Sequence, residues 1–342
     1  MRKLMMLTLA MAMLLSVFLP AQTGAVGEGP NYNGNETIKN ERLTSYEDMA
    51  DFLHKMDDRS DLLEVEVFGQ SVQGRDLFLT KFGNNPDNPT VLFLTQQHGN
   101  EALVTEAALD VIRKLSRNTP QVREWADHVN VMIIPRLNPD GAMGDVNFDI
   151  SDYVAGGQST RFNANGVDLN RDHVDRNEPE TYALHTNVLQ VYDIDYLVDF
   201  HHQGTQSAVD DRYVSGSILY PTNPDVNETV VEMSKQLGSV MYDAVEDRGF
   251  GHLGKYRGGE ATTISRNGLA YEYDIATLLF EMRGMTDHSN PDMVLGQKSN
   301  GYLIQQGVIS MEAAISAIAD RSIEEADITF WDELPFQGRK SE

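Results

Sequence analysis

Apolar positions along this chain fall into two rhythms. Tyr46, Met49, Phe52, Leu53 and Met56 recur at helical spacing behind Ser45, whose hydroxyl can cap a helix, and predict a helix through about residue 55. Residues 63–68 and 76–82 read as two strands across a glycine-bearing turn at 69–75. Val91-Leu92-Phe93-Leu94 is an unbroken apolar run and predicts a buried strand. Helical spacing then returns with Leu103, Val104, Ala107, Ala108, Val111, Ile112 and Leu115. Residues 129–134 predict another strand, Asn138-Pro139-Asp140-Gly141 a turn, and 142–161 a polar loop. Tyr196-Leu197-Val198-Asp199-Phe200 predicts a buried strand that ends at His201-His202. A helix over 228–247, a glycine-rich stretch over 249–259 containing Tyr256, a short strand over 277–280 leading into Glu281, and a helix over 302–318 complete the pattern. Strands alternating with helices predict a single α/β domain.

The first residues break this pattern. Arg2 and Lys3 precede an apolar run over 4–19, Pro20 and small residues, which predicts a secretory signal over 1–25 with cleavage after Ala21 or Ala25. The expectation is a secreted protein, extracellular or periplasmic, holding no membrane segment after cleavage. Residues 26–40 read as a flexible lead-in, and 321–342 as an acidic tail carrying Phe330 and Trp331. There is no cysteine among the 342 residues, which excludes disulfides, thiolate metal ligands and a cysteine nucleophile. The net charge is −25, and loss of the two bases in 1–25 takes it to near −27. Such a surface repels nucleic acid and anionic membranes.

The chemistry gathers at predicted strand ends. His98 and Glu101 lie between the Val91 strand and the helix after it, and crevices at the carboxyl ends of strands are where open α/β sheets bind ligands. With His201 they make two imidazoles and one carboxylate, the donor set of a catalytic zinc that keeps one position open. His202 rivals His201, because adjacent strand residues point to opposite faces. Glu281 emerges from an apolar strand, where desolvation raises a carboxyl pKa toward neutrality and suits it to move protons. Arg161, Arg171 and Asn170 can grip a carboxylate.

Taken in order, these motifs resemble the zinc metallocarboxypeptidases, the carboxypeptidase A-like family, from about residue 45 to 320. Gly69-x-Ser71-x-x-Gly74-Arg75 is similar to the family's early hairpin, and His98-Gly99-Asn100-Glu101 to its zinc motif. Asn138-Pro139-Asp140-Gly141 and Gly166-Val167-Asp168-Leu169-Asn170-Arg171 are similar to two further signatures. Asp199-Phe200-His201 resembles the strand bearing the third ligand, and Phe280-Glu281-Met282-Arg283 the segment bearing the catalytic glutamate.

The resemblance implies a catalytic domain over 41–320, an α/β fold with a mixed, mostly parallel sheet of about eight strands and helices on both faces. It implies one zinc ion on His98, Glu101 and His201, with Glu281 as general base and acid. Arg161 would stabilise the oxyanion, Asn170 and Arg171 would hold the substrate's terminal carboxylate, Asp168 would accept the free N–H of His98, and Tyr256 would be the mobile active-site tyrosine. The implied partner is a peptide with a free C-terminal carboxylate, cleaved by a monomer.

This chain departs from the family pattern in three places. Arg161 lies close to Asn170, the digestive enzymes' disulfide is absent, and His201-His202-Gln203 replaces the usual His-Ser-Tyr. No activation segment of familiar length precedes the domain, so synthesis without a zymogen stage is expected. A zinc-dependent deacylase or cell-wall amidopeptidase on the same scaffold is the near alternative. A non-catalytic binding protein with a degenerate site is the distant one, and the intact ligand set with Glu281 argues against it. No Gly-x-Ser-x-Gly points to a serine hydrolase.

Overall fold

Ser45 accepts a hydrogen bond from the Asp48 N–H at 3.1 Å, and the helix it caps, α1 (Tyr46–Asp57), buries Met49, Phe52, Leu53 and Met56 as the spacing predicts. The chain is described from a computed structural model that covers residues 43–145, 160–210, 212–249, 251–284, 286–287, 290–294 and 297–339. The signal and lead-in expected over 1–40 lie outside the described residues, as does most of the 142–161 loop.

The predicted hairpin forms as β1 (Leu63–Gln70) and β2 (Asp76–Phe82). The Val91 run is β3 (Thr90–Thr95), buried along its whole length, and is followed by α2 (Ala102–Leu115). Next come α3 (Pro120–His128), β4 (Asn130–Ile134) and α4 (Pro139–Asp145). The turn expected at Asn138 is the start of α4: Asn138 Oδ1 accepts from the Gly141 N–H at 2.9 Å, and Pro139 opens the helix. The helix α3 lies outside the elements that the apolar pattern predicts, although Thr119 caps it and Pro120 begins it.

Farther along lie α5 (Pro179–Ala183), running into a π-helical turn over Leu184–Leu189, and β5 (Tyr196–Gln203). The strand does not stop at His201-His202; it continues through both. Three short strands follow: β6 (Ser207–Val209), β7 (Arg212–Tyr213) and β8 (Gly216–Leu219). Then come α6 (Glu228–Asp247), β9 (Leu253–Lys255), α7 (Ser265–Tyr273), β10 (Ala276–Arg283) and, past a β11–β12 hairpin (Thr286–Asp287, Asn290–Val294), α8 (Gln297–Ala319). Glu281 lies within β10, not after it.

Eight strands form one sheet in the order β1-β2-β4-β3-β5-β10-β8-β9. The centre, β4-β3-β5-β10, is parallel, and the pairs β1–β2, β2–β4 and β10–β8 are antiparallel. Alternation along each strand divides the core in two. Phe93, Val198, Phe200, Leu278 and Phe280 pack against residues of α1, α2, α6 and α8 on one face. Leu92, Leu94 and Leu197 pack against Leu184 and Val188 of the π turn and Leu269 of α7 on the other. Helices thus cover both faces, as expected for the family.

The segment after residue 320 belongs to the same core. Trp331, in the short helix α9 (Phe330–Glu333), is 1% exposed, stands edge-on to Tyr220 at 4.9 Å, and donates its indole N–H to the Lys235 carbonyl at 2.9 Å. Gly238 of α6 makes room for it, since a Cβ there would lie 2.3 Å from the Trp331 ring. Among the described residues, no helix is long and apolar enough to cross a membrane.

Candidate metal centre

Buried, hydrogen-bonded side chains of Gln96 and Gln97 hold the start of the loop between β3 and α2. Gln96 takes a positive φ of 54°, which turns the chain out of the sheet. Its side-chain oxygen accepts from Arg136 Nε at 2.7 Å, and its amide donates to the Gly99 carbonyl at 2.7 Å. Gly99 has no room for a side chain: a Cβ would meet the Gly141 backbone at 2.2 Å. Glu101 occupies the N-cap position of α2, yet its carboxylate makes no cap bond and turns to the site.

Parallel register supplies the distant half of the site. His201 on β5 is the register partner of Glu281 on β10, so both side chains stand on the same face of adjacent strands. Asp199 precedes His201 by two residues and shares that face. His202 points to the opposite face, and among the described residues the donor atoms of His98, Glu101 and His201 lie within 4.8 Å of one another, all three side chains buried.

The donor atoms converge. His201 Nδ1 lies 3.0 Å from His98 Nδ1 and 2.8 Å from Glu101 Oε2, while His98 Nδ1 lies 2.9 Å from Glu101 Oε1. The far ring nitrogens are held by carboxylates. His98 Nε2 donates to Asp168 Oδ1 at 3.0 Å, and His201 Nε2 to Asp199 Oδ2 at 2.8 Å. This pairing holds each ring by its Nε2 and aims both Nδ1 atoms at one point.

The electrostatics ask for positive charge at that point. Burial pushes Glu101 up, but His98 and His201 outweigh it and hold the carboxyl well below its usual range. Burial pushes His201 down, but Asp199 and Glu101 hold it well above the usual histidine value. Burial likewise opposes the ionised form of Asp168, and the hydrogen bond from His98 with the charges of His98, Arg161 and Arg171 more than reverses it. Two imidazoles and one carboxylate with their far sides fixed fit a zinc ion.

Around this centre stand the remaining predicted residues. Arg161 donates through Nε and Nη2 to Asp168 Oδ2 at 3.2 and 3.1 Å and approaches Glu101 Oε1 at 3.4 Å. Asn170 Oδ1 accepts the Ser265 N–H at 2.8 Å, and its Nδ2 lies 3.1 Å from His201 Nε2. That nitrogen already donates to Asp199, so the contact is between two donors and gives the Asn170 amide hydrogens no acceptor. Arg171 is exposed and donates to the Asn170 carbonyl at 2.6 Å. Glu281 is buried and raised to about 7, chiefly by desolvation; His201 pulls it back and Glu101 adds to the rise. Tyr256 follows β9, and its hydroxyl interacts with the Glu281 carboxylate, which with burial holds the phenol above its usual range.

The family model described as zinc carboxypeptidase matches residues 49–288, more than half of the chain. The chain belongs to the zinc carboxypeptidase family. It is 28% identical over 185 residues to carboxypeptidase D of Mus musculus, a match covering 51% of this chain and 13% of that protein. It is 34% identical over 148 residues to the carboxypeptidase N catalytic chain of the same organism, covering 39% of this chain and 31% of that one. The matched stretch is therefore well under half the length of these relatives. A metallo-carboxypeptidase from Burkholderia cenocepacia has the same fold, with a TM-score of 0.59 and 18% identity over 80% of this chain and 70% of the other.

Within this zinc carboxypeptidase domain, sequence reasoning passed over Asp199, Gln97 and Ser265. In the sequence Asp199 reads only as part of a strand. Its spacing of two from His201 was the available signal, since it puts both on one face of β5. Gln97 donates to Asp199 Oδ1 at 2.9 Å, and the Ser265 hydroxyl donates to Asp199 Oδ2. Neither contact follows a short-range spacing.

Proposed function

We propose that this chain is a secreted zinc metallocarboxypeptidase that hydrolyses the C-terminal peptide bond of its substrates, using a single zinc ion on His98, Glu101 and His201. The observation that carries the reading is the convergence of those three donors with Glu281 in register beside His201. Zinc supplies a Lewis acid that polarises the scissile carbonyl and acidifies water. Glu281, buried and raised to about 7, accepts a proton from the attacking water and returns it to the leaving nitrogen as the C–N bond breaks. Arg161, at the rim formed by Glu101 and Asp168, stabilises negative charge growing on the carbonyl oxygen.

Arg171 and Asn170 grip the terminal carboxylate, Arg171 from an exposed position beside the centre and Asn170 through amide hydrogens without an acceptor in His201. Tyr256, whose hydroxyl interacts with the Glu281 carboxylate, serves as the active-site tyrosine that contacts the substrate. Asp168 fixes the His98 tautomer. The signal-like residues 1–25 support export, and the net charge of −25 disfavours nucleic-acid and anionic-membrane partners. The protein acts as a monomer.

The test is kcat/KM for one peptide with its C-terminus free and amidated. Amidation leaves the carboxylate-binding groups unpaired, a mismatch able to reach about 10⁴-fold. Equal efficiency on both peptides would overturn the exopeptidase reading in favour of a deacylase or amidopeptidase. Arg171→Ala should lower the rate on the free peptide and leave the amidated one unchanged.

A further inference from the structure

A line of buried side chains leads away from the metal centre, and the mechanism above does not use it. Gln97 Nε2 donates to Asp199 Oδ1 at 2.9 Å, and Gln97 Oε1 accepts from His173 Nε2 at 2.8 Å. His173 Nδ1 lies 3.1 Å from His185 Nε2, and His185 Nδ1 lies 2.8 Å from the Tyr273 hydroxyl. Gln97, His173, His185 and Asp199 are all buried, and Tyr273 lies half-buried at the outer end.

Hydrogen-bond sense runs one way along this line. Neutral imidazole has one N–H and one bare nitrogen, so each ring can donate on one side only. With Tyr273 donating to His185, His185 donates to His173, His173 to Gln97, and Gln97 to the Asp199 carboxylate. The reverse sense makes Gln97 donate to His173 and turns its oxygen onto Asp199, an acceptor against an anion. Only the first sense ends with Asp199 supplied with a donor on Oδ1, its Oδ2 being left for His201 Nε2–H and Ser265. His185 belongs to the π turn, and His173 lies beside α7, where a Cβ on Gly268 would stand 3.8 Å from the His173 Cβ, in ordinary contact.

We propose that His173 is a positioning residue for the metal centre: with His185 and Tyr273 behind it, it locks the Gln97 amide so that Asp199 holds His201 with its Nδ1 facing the ion. This rests on the reading of His201 as a zinc ligand.

The experiment measures zinc dissociation constants of the full chain by competition with a chromophoric chelator, and reads imidazole tautomers by long-range ¹⁵N–¹H NMR of the zinc-loaded protein. His173→Phe removes the donor to Gln97 and should weaken zinc binding about tenfold, the lower end of what partners behind a ligand supply. His173→Gln restores an N–H donor and should recover most of that affinity. Unchanged zinc affinity in His173→Phe, with only a lower melting temperature, would mean a purely structural role and overturn the proposal. A loss that His173→Gln does not repair would overturn it as well. Should His173→Phe not fold, Tyr273→Phe removes only the outermost donor. It should shift the His185 ¹⁵N signals and weaken zinc by less than the tenfold above, and no change in either would overturn the proposal. If the parent chain binds no zinc, the zinc reading itself falls, and this proposal with it.

Discussion

Two pairs of buried histidines lie on one side of the same sheet, His98 with His201 and His173 with His185. Their ring centroids are 4.6 and 5.4 Å apart and their planes are tilted by 46° and 50°. Burial and packing are alike, but the company is not. Carboxylates of Glu101, Asp168 and Asp199 surround the first pair. An amide and a phenol flank the second. Desolvation dominates where no anion touches the rings, pushing His173 down to about 4 and His185 lower still. Where carboxylates touch them, as at His201, the shift reverses. Depth alone therefore makes a neutral, one-way hydrogen-bond element, and carboxylates convert the same pair into a place for a cation.

The strongest way to break this contrast is to remove a ring from the first pair. His201→Ala should release the metal and abolish activity, whereas His202→Ala, on the opposite face of β5, should keep one zinc per chain by elemental analysis. An empty site in His202→Ala would reverse the assignment. Next in size is Glu281→Gln, which leaves the carboxylates around the first pair intact. It should retain zinc and substrate affinity and lower kcat by about 10²–10⁴-fold in steady-state kinetics.

The second pair is tested by pH. The unfolded chain protonates His173 near its ordinary value of 6.5, and the folded chain only near 4, so as pH falls the unfolded state takes up the proton first. The stability held by neutral His173 is complete above pH 6.5 and is lost as pH falls toward 4. Chemical denaturation of the parent and His173→Gln should show the parent's advantage at pH 7 shrinking by about 3 kcal/mol at pH 4. A constant difference across that range would mean His173 is not held neutral. The smallest effect is expected from Asp168→Asn, which keeps the shape and removes one carboxylate from the first pair. Zinc affinity should fall about 10- to 100-fold, read by chelator competition.

The two pairs also differ in how far the sequence reveals them. His98 and Glu101 stand three positions apart at a strand-to-helix junction, and the apolar runs before His201 and Glu281 mark buried strands, so the candidate metal centre is legible from local pattern. Nothing local joins Gln97 to His173, 76 residues away, or His185 to Tyr273, 88 residues away. These contacts exist because α7 and the π turn cover the same face of the sheet. The elements that escaped notice are those with little periodic signal. The strands β8 and β9 have four and three residues, and α7 carries Gly268 and buries one residue after another along its first two turns. The 138–141 motif reads as a turn because the residues that favour turns also cap helices.

Trp331 gives the order in which this chain can be finished. Every residue assigned to the chemistry, from His98 to Glu281, leaves the ribosome before it. Yet the hydrophobic core that braces them also includes Ile323, Trp331 and Leu334. Domains made early in a chain can fold while synthesis continues. Here Trp331, a large buried side chain of that core, is translated some fifty residues after Glu281, with α8 in between. The ligands and the base are therefore translated before the segment that completes the core behind them.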